Sequence, residues 1–503
     1  MSGAPLYFDY AATTPVDPAV ARAMSACLTA DGDFGNPSST HAFGVRAAAR
    51  IEQARAEIAA LVGARPAEIV LTSGATESNN LAILGAARAN ADRGRHLVSS
   101  RTEHKSVLDS LHQLEKEGFS VTWLTPQRSG RIDPAAFAAA LRADTILASV
   151  MCVNNETGVL EDLAALGALC AGRGIALHSD CAQAAGKLPL DLTALPLDFA
   201  SFTAHKLYGP KGIGALYVRS GARGALQPLI YGGGQERALR PGTLATHQIV
   251  GFGAACELAR RELAAEGARL TQLRERLWRG LEALGGTHLN GAGAARVPGI
   301  LNVSFEGVQG QSLVAALSTL ALSTGSACSS DSPEPSYVLR ALGRSVQLAQ
   351  SSLRFSLGRY TREEDIALAL DAVGRALVRL RALSPASTPP SLAPQDWPGR
   401  PGSQPGAAVV SGEAGGPGQD TWVRFQLLIA DGTVKDARFQ AFACPHTTDV
   451  AAWLCSELRG RGRRALIPGS PPEWAAERGI PVEKLGRLLV VEDALRACLA
   501  HWT

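Results

Sequence analysis

From the N-terminus to about residue 383 the chain alternates short apolar runs (EIVLTSG, HLVSS, TILASVM, GIALHSD, FASFTAH) with Ala/Leu/Arg-rich stretches of helical period such as VRAAARIEQARAEIAALVG. Few folds accommodate that rhythm. Runs apolar at nearly every position suit strands buried on both faces, and the helices between them supply crossovers, so the pattern predicts an α/β unit with a largely parallel sheet wrapped by helices. Residues 384–420 break the rhythm: 15 of these 37 residues are Pro or Gly and four are charged. That is the composition of a linker with an r.m.s. span of roughly 30 to 35 Å. Residues 421–503 then open on two alternating runs, WVRFQLLIADG and VKDARFQAFACP, divided by the hairpin signal Asp431-Gly432, with helical patterns at 447–459 and 492–501. The expected organisation is a large domain over 1–383, a linker over 384–420 and a small α+β domain over 421–503.

A formal net charge of +3 on 503 residues, with no Lys/Arg block, points to neither nucleic acid nor a membrane surface as partner. MSGAPLYFDYAATTP lacks a basic segment followed by an apolar run, and no stretch approaches the length of a spanning helix, so the cytoplasm is the expected compartment. Nine cysteines scattered without CxxC spacing argue for reduced thiols, against a disulfide framework or a zinc site of paired cysteines.

Chemistry gathers at the ends of the apolar runs, and in a parallel sheet those ends converge on the crevice where ligands bind. SFTAHKLYGPKG ends a run in Lys206 and GIALHSDCAQ ends another in Asp180, while in TSGATESNNLAIL Gly74, Ala75 and Thr76 lead into a helix. A lysine able to form a Schiff base, a carboxylate for a pyridinium nitrogen and a helix start that can hold a phosphate are what pyridoxal phosphate requires of a protein. RTEHKSV places His104 past another run, where an imidazole can stack on the cofactor and move protons. Taken singly, each has a plainer reading as surface lysine, structural histidine or simple glycine turn. Cys328, in STGSACSSDSPEPSYVLRALG, lies in a Ser/Gly/Pro-rich loop that suits a reactive thiol and an incidental one equally.

The combination of FDYAATTPVDP, FGNPSSTHAFG, TSGATESNNLAI, HSDCAQ, SFTAHKLYGPKGIGALYV, RPGTLATHQIVG and STGSACSSDSPEPSYVLRALG resembles the pyridoxal phosphate-dependent cysteine desulfurases of the NifS/IscS type, within the class V aminotransferase family, from about residue 5 to 383. The resemblance implies the fold type I of pyridoxal phosphate-dependent transferases. It implies Lys206 as the Schiff-base lysine, Asp180 as partner of the pyridine nitrogen, Gln183 as partner of the phenolic oxygen and His104 as ring-stacking acid/base. Ala75, Thr76, Thr203 and His205 match phosphate-side positions, and Thr243 matches a residue that reaches the phosphate of a neighbouring protomer, which implies a homodimer. Thr203 stands where many members have Ser and keeps the hydroxyl. Asn155 and Arg354 match the residues that hold the substrate carboxylate, a task suited to the planar fork of arginine.

Cys328 then matches the catalytic cysteine on the mobile loop of the family's longer-loop branch. The implied reaction converts L-cysteine to L-alanine: Lys206 or His104 shifts the alpha proton, the Cys328 thiolate takes the sulfur as a persulfide, and an iron-sulfur scaffold protein or another acceptor receives it. A transient iron-sulfur cluster with Cys328 as a ligand alongside a scaffold partner belongs to the same reading. The alternative enzyme is a selenocysteine lyase or related lyase, marked by equal turnover of selenocysteine and no Cys328 persulfide. The alternative from another class is an interaction protein with a vestigial cofactor site, marked by absence of a yellow cofactor band.

Residues 421–503 resemble, more weakly, the iron-sulfur scaffold proteins that receive this sulfur, in WVRFQLLIADGTVKDARFQAFACPHTTDVAAWL and VEDALRACLAHW. Of three scaffold cysteines, Cys444 matches the middle one. The first falls in GPGQD, the His-Cys pair before the last helix falls at about Gly486 and Arg487, and the scaffold's aspartate is unmatched or shifted to Asp420. One thiolate cannot hold a cluster in that way, so the domain is expected not to be an independent scaffold but a sulfur acceptor through Cys444, a docking element or a remnant. His446 can lower the Cys444 pKa or be merely a solvated side chain, and Cys455 and Cys498 read as packing residues. The tether would keep this domain near the Cys328 loop at about millimolar effective concentration.

Overall fold

The continuous apolar runs become strands in the computed structural model, which describes residues 4–222, 225–324, 335–383, 407–416, 421–480 and 484–502. After the short β1 (Leu6–Tyr7) come β2 (Ile69–Thr72), β3 (His96–Ser100), β4 (Ser120–Leu124), β5 (Thr145–Ser149), β6 (Ala176–Asp180), β7 (Phe199–Thr203) and β8 (Gly214–Val218). Strands β2 to β8 form one seven-stranded sheet in the order β2-β8-β7-β6-β5-β3-β4. It is parallel except for β8, which runs antiparallel to both neighbours. Every residue of β2, β3, β5, β6 and β7 is buried, which explains why these runs are unbroken rather than alternating. The strand order doubles back after β4, so the carboxyl ends of β2, β3, β5, β6 and β7 open on one edge beside a topological switch point. A 38-residue helix, Thr246–Ala283, leads to a four-stranded antiparallel sheet of β9 (Thr287–Leu289), β10 (Ile300–Phe305), β12 (Ser323–Thr324) and β13 (Ser352–Ser356), while β11 (Leu320–Ala321) pairs with β1. This is the expected α/β architecture with a mostly parallel sheet.

A histidine sits inside the sheet. His178 on β6 is fully buried, its ring nitrogens 2.8 Å from Ser149 Oγ on β5 and 3.0 Å from Ser201 Oγ on β7. Burial pushes its pKa down to about 4, against an upward pull from Asp180. The unfolded histidine binds a proton near pH 6.5 and the folded one near pH 4, so this contribution is present above pH 6.5 and lost as pH falls toward 4. We expect roughly 2 kcal/mol to be gone by about pH 5. Urea unfolding at neutral and acid pH checks this, and His178→Gln is expected to flatten that part of the loss.

Beyond β8, Glu236, Arg237 and Ala238 all have positive φ, at 48°, 58° and 61°. The Arg55 guanidinium donates to both oxygens of Glu236 at 2.8 and 2.7 Å, and the Leu71 backbone N–H donates to the same carboxylate at 2.7 Å.

The chain divides into two units, 1–376 and 377–503. In the second, β14 (Ala408–Gly416), β15 (Thr421–Ala430) and β16 (Thr433–Phe442) form an antiparallel sheet with β15 in the centre, accompanied by helices Pro445–Glu457, Pro471–Arg478 and Leu485–His501. Asp431 and Gly432 turn the β15–β16 hairpin with φ of 52° and 65°, both positive as a type I′ turn needs. Strand β14 corrects the reading of 384–420 as linker throughout, because it pairs with β15 along its whole length. Gly412 in this strand reflects close packing: a Cβ there would lie 2.2 Å from the Cys498 backbone nitrogen, so the last helix needs bare backbone at that point.

Candidate active site

The strand-end residues singled out in the sequence converge. A cavity of about 490 Å³ is lined by Ala75, Thr76, His104, Asn155, Asp180, Gln183, Thr203, His205 and Lys206, together with Gly74, Glu77, Met151 and Lys211. Gly74, with φ of 155°, is the N-cap of the helix Ala75–Ala89. A Cβ on Gly214 of β8 would fall 2.6 Å from Gly74 Cα, so this helix start rests directly on the sheet. Lys206 follows β7 in a single 3₁₀ turn, and its Nζ donates to the carbonyls of Ala11 and Ala12 at 2.5 and 3.0 Å. Asp180 is the last residue of β6 and nearly buried. It accepts from the Ala182 N–H at 2.9 Å and from Asn79 Nδ2 at 2.8 Å. His205 Nδ1 is 3.1 Å from Thr13 Oγ1, and burial, with Lys206, Lys211 and Lys187 nearby, pushes its pKa down to about 4.

Arg354 meets the cavity through Asn155: one terminal nitrogen donates to the Asn155 carbonyl at 2.9 Å and the other pairs with Asp9 at 2.9 Å. Its buried Nε and the buried Asn155 Oδ1 have no hydrogen-bond partner among the described residues. Two participants were not marked by sequence reasoning. Asp9 lies in the FDYAATTP motif, which was the available signal. Lys187 had none. Its Nζ donates to Gln183 Oε1 at 2.5 Å, and burial, then Lys206 and Arg354, push its pKa down to about 7. Gln183 Nε2 in turn donates to the Ala11 carbonyl at 2.8 Å.

Three predicted residues stand apart. Cys328 lies outside the described residues. Thr243 is exposed and does not line the cavity. Cys444, in the second unit, is buried at the N-cap of Pro445–Glu457, with Sγ 3.2 Å from Thr447 Oγ1. Burial raises this thiol, but the hydroxyl and N–H of Thr447 and the charge of Arg487 outweigh it and hold the pKa below the ordinary value. His446, the residue suspected of that role, is exposed. Burial pushes Cys455 and Cys498 up to about 12, as packing residues require. Among the described residues no group of three His, Cys, Asp or Glu side chains could hold a metal ion, and no helix is long and apolar enough to cross a membrane.

The donor set fits pyridoxal phosphate: a nearly buried carboxylate, a lysine at a strand end and a glycine-capped helix start share one cavity. Comparisons with known proteins agree. The Aminotransferase class-V profile matches residues 6–368. The cysteine desulfurase IscS of Pectobacterium atrosepticum is 56% identical over 382 residues, covering 76% of this chain and 95% of the relative. Among solved structures, a NifS-like protein superposes with a TM-score of 0.70 at 34% identity, covering 75% of this chain and all of the other. SspA in complex with cysteine gives 0.63 at 38% identity, covering 71% of this chain and all of SspA. With the profile spanning most of the first unit and the relatives matched almost end to end, the chain belongs to the class V aminotransferase family, among its pyridoxal phosphate-dependent cysteine desulfurases of the IscS/NifS type.

Proposed function

We propose that this protein converts L-cysteine to L-alanine, holds the sulfur as a persulfide on Cys328 and passes it on for iron-sulfur cluster assembly, acting as a cytoplasmic homodimer. The observation that carries this reading is the meeting of Lys206, Asp180, His104 and Gln183 in one cavity that Arg354 reaches through Asn155. Lys206, Asp180, Gln183 and the phosphate-side residues Ala75, Thr76, Thr203 and His205 would hold pyridoxal phosphate, which supplies an electron sink that weakens the substrate's carbon–sulfur bond. Arg354 and Asn155 bind the substrate carboxylate and thereby orient the alpha carbon. The Cys328 thiolate attacks the substrate sulfur, the sulfur–sulfur bond forms as the carbon–sulfur bond breaks, and the carbon skeleton takes up protons to leave as alanine. Thr243, exposed and off its own cavity, supports the homodimer because the resemblance assigns it to the phosphate of a neighbouring protomer.

For the second unit we propose sulfur acceptance on Cys444. Where the scaffold resemblance puts a third cysteine, Arg487 lies near Cys444 and favours its thiolate. A guanidinium can stabilise that charge but cannot be a metal ligand, so the thiol is equipped for sulfur and not for iron. Peptide mass spectrometry without reductant, after mixing with L-cysteine, tests both proposals. Extra sulfur is expected on Cys328 and on Cys444, and on neither in Cys328→Ser. Sulfur confined to Cys328 would leave the second unit a docking element, and none on Cys328 would sink the desulfurase reading.

A further inference from the structure

A chain of hydrogen bonds runs from the carboxylate at the cavity floor to the histidine at its wall. Asn79, fully buried in the helix Ala75–Ala89, donates one Nδ2 hydrogen to Asp180 Oδ2 at 2.8 Å and the other to Ser106 Oγ at 2.9 Å. Ser106 Oγ is 2.9 Å from His104 Nδ1, and the backbone N–H of Ser106 donates to the same Nδ1 at 3.2 Å. His104 is itself the N-cap of Lys105–Lys116.

Each link fixes the next. Asn79 turned over would set its amide oxygen against the Asp180 carboxylate, so the NH₂ faces Asp180. Both its hydrogens are then spent on acceptors, so Ser106 Oγ receives one and has its own hydrogen left for Nδ1. A backbone N–H can only donate, so Nδ1 must carry a lone pair there. A proton on Nδ1 would confront that N–H. A ring that satisfies both contacts is neutral, with its hydrogen on Nε2.

Resting on the reading of the site as a cysteine desulfurase, we propose that Asn79 and Ser106 are positioning residues that hold His104 neutral with its proton on Nε2, so that His104 serves the cavity as a hydrogen-bond donor. Charged and titratable groups sharing the cavity with His104 are Asp180, Glu77, His205, Lys206 and Lys211. Glu103, its neighbour in sequence, is fully buried and accepts the Met151 N–H, and burial raises its pKa well above the ordinary carboxylate range.

The test is ¹⁵N NMR of the holoenzyme labelled at histidine, with His104 assigned by its absence in His104→Gln. The expected spectrum has Nε2 protonated and Nδ1 unprotonated across the neutral pH range. Ser106→Ala should raise the midpoint for protonating the ring by about half to one unit, as loss of one donated hydrogen bond implies, and Ser106→Thr should restore it. A proton on Nδ1 in the wild type, an imidazolium at neutral pH, or a midpoint unmoved in Ser106→Ala would overturn the proposal. Alanine release measured on the same samples separates this outcome from failure of the desulfurase reading, because the ring's protonation is read without turnover.

Discussion

Replacing Lys206 with alanine is expected to cut alanine release from L-cysteine by about a thousandfold or more, without unfolding the protein. The side chain leaves a single 3₁₀ turn after β7 and donates to two backbone carbonyls beside the cavity, those of Ala11 and Ala12, so the loss falls on chemistry rather than on the core. The instructive rival is Lys187. It too is an amine beside the cavity's working groups, and with its pKa pushed down to about 7 by burial, then by Lys206 and Arg354, much of it is neutral at physiological pH. Its Nζ is committed to Gln183 Oε1 at 2.5 Å, which fixes the Gln183 amide and keeps Lys187 from the vacated position. Steady-state kinetics of Lys206→Ala and Lys187→Met, with a small primary amine added as chemical rescue, decide the assignment. Rescue is expected in Lys206→Ala alone. Activity within tenfold of wild type in Lys206→Ala would pass the role to another residue.

The second large effect is on stability. Three successive non-glycine residues in the left-handed region, Glu236 to Ala238, each cost roughly 1 to 2 kcal/mol, and that cost has to be offset locally. The offset is a nearly buried bidentate pair: Arg55 to Glu236, reinforced by the Leu71 N–H. Removing Glu236 leaves the nearly buried Arg55 with the exposed Glu52 and the Ile69 carbonyl as partners and releases the turn, so Glu236→Ala is expected to cost about 3 kcal/mol, read as a lower urea midpoint of the first unit. The double variant Arg55→Met/Glu236→Leu should recover part of it. A single variant that unfolds like the wild type would show that the turn needs no anchor.

These two cases mark how far the sequence could be read. Strands β2, β3, β5, β6 and β7 were legible because burial on both faces leaves unbroken apolar runs, and Lys206, Asp180 and His104 were legible because they follow such runs. Lys187 was not, since only the fold brings a lysine four residues along against the Gln183 amide. Nor were Asn79 and Ser106, whose value lies in a register between two helix starts. The turn at Glu236 was hidden for the opposite reason: local propensity argues against it, and a residue 181 positions away, Arg55, overrules propensity. In the second unit composition misled outright, because a glycine such as Gly412, which signals a tether in one context, signals close helix-to-strand contact in another.

That last feature governs how the proposed sulfur acceptance on Cys444 can be tested on the second unit alone. The portion resembling a scaffold starts at β15, the obvious place to cut, yet β15 is the central strand and β14 is its partner along one whole side. A fragment beginning at residue 421 would expose the edge of β15 along the stretch Thr421 to Ile429 that β14 covers, with the unpaired amides and carbonyls of alternate residues, and uncover the side of the Leu485–His501 helix that rests on Gly412. Such a fragment would be prone to stick to itself, and its silence in a sulfur-transfer assay would say nothing about Cys444. The functional boundary therefore lies upstream of Ala408, inside the stretch whose composition least resembles a folded domain.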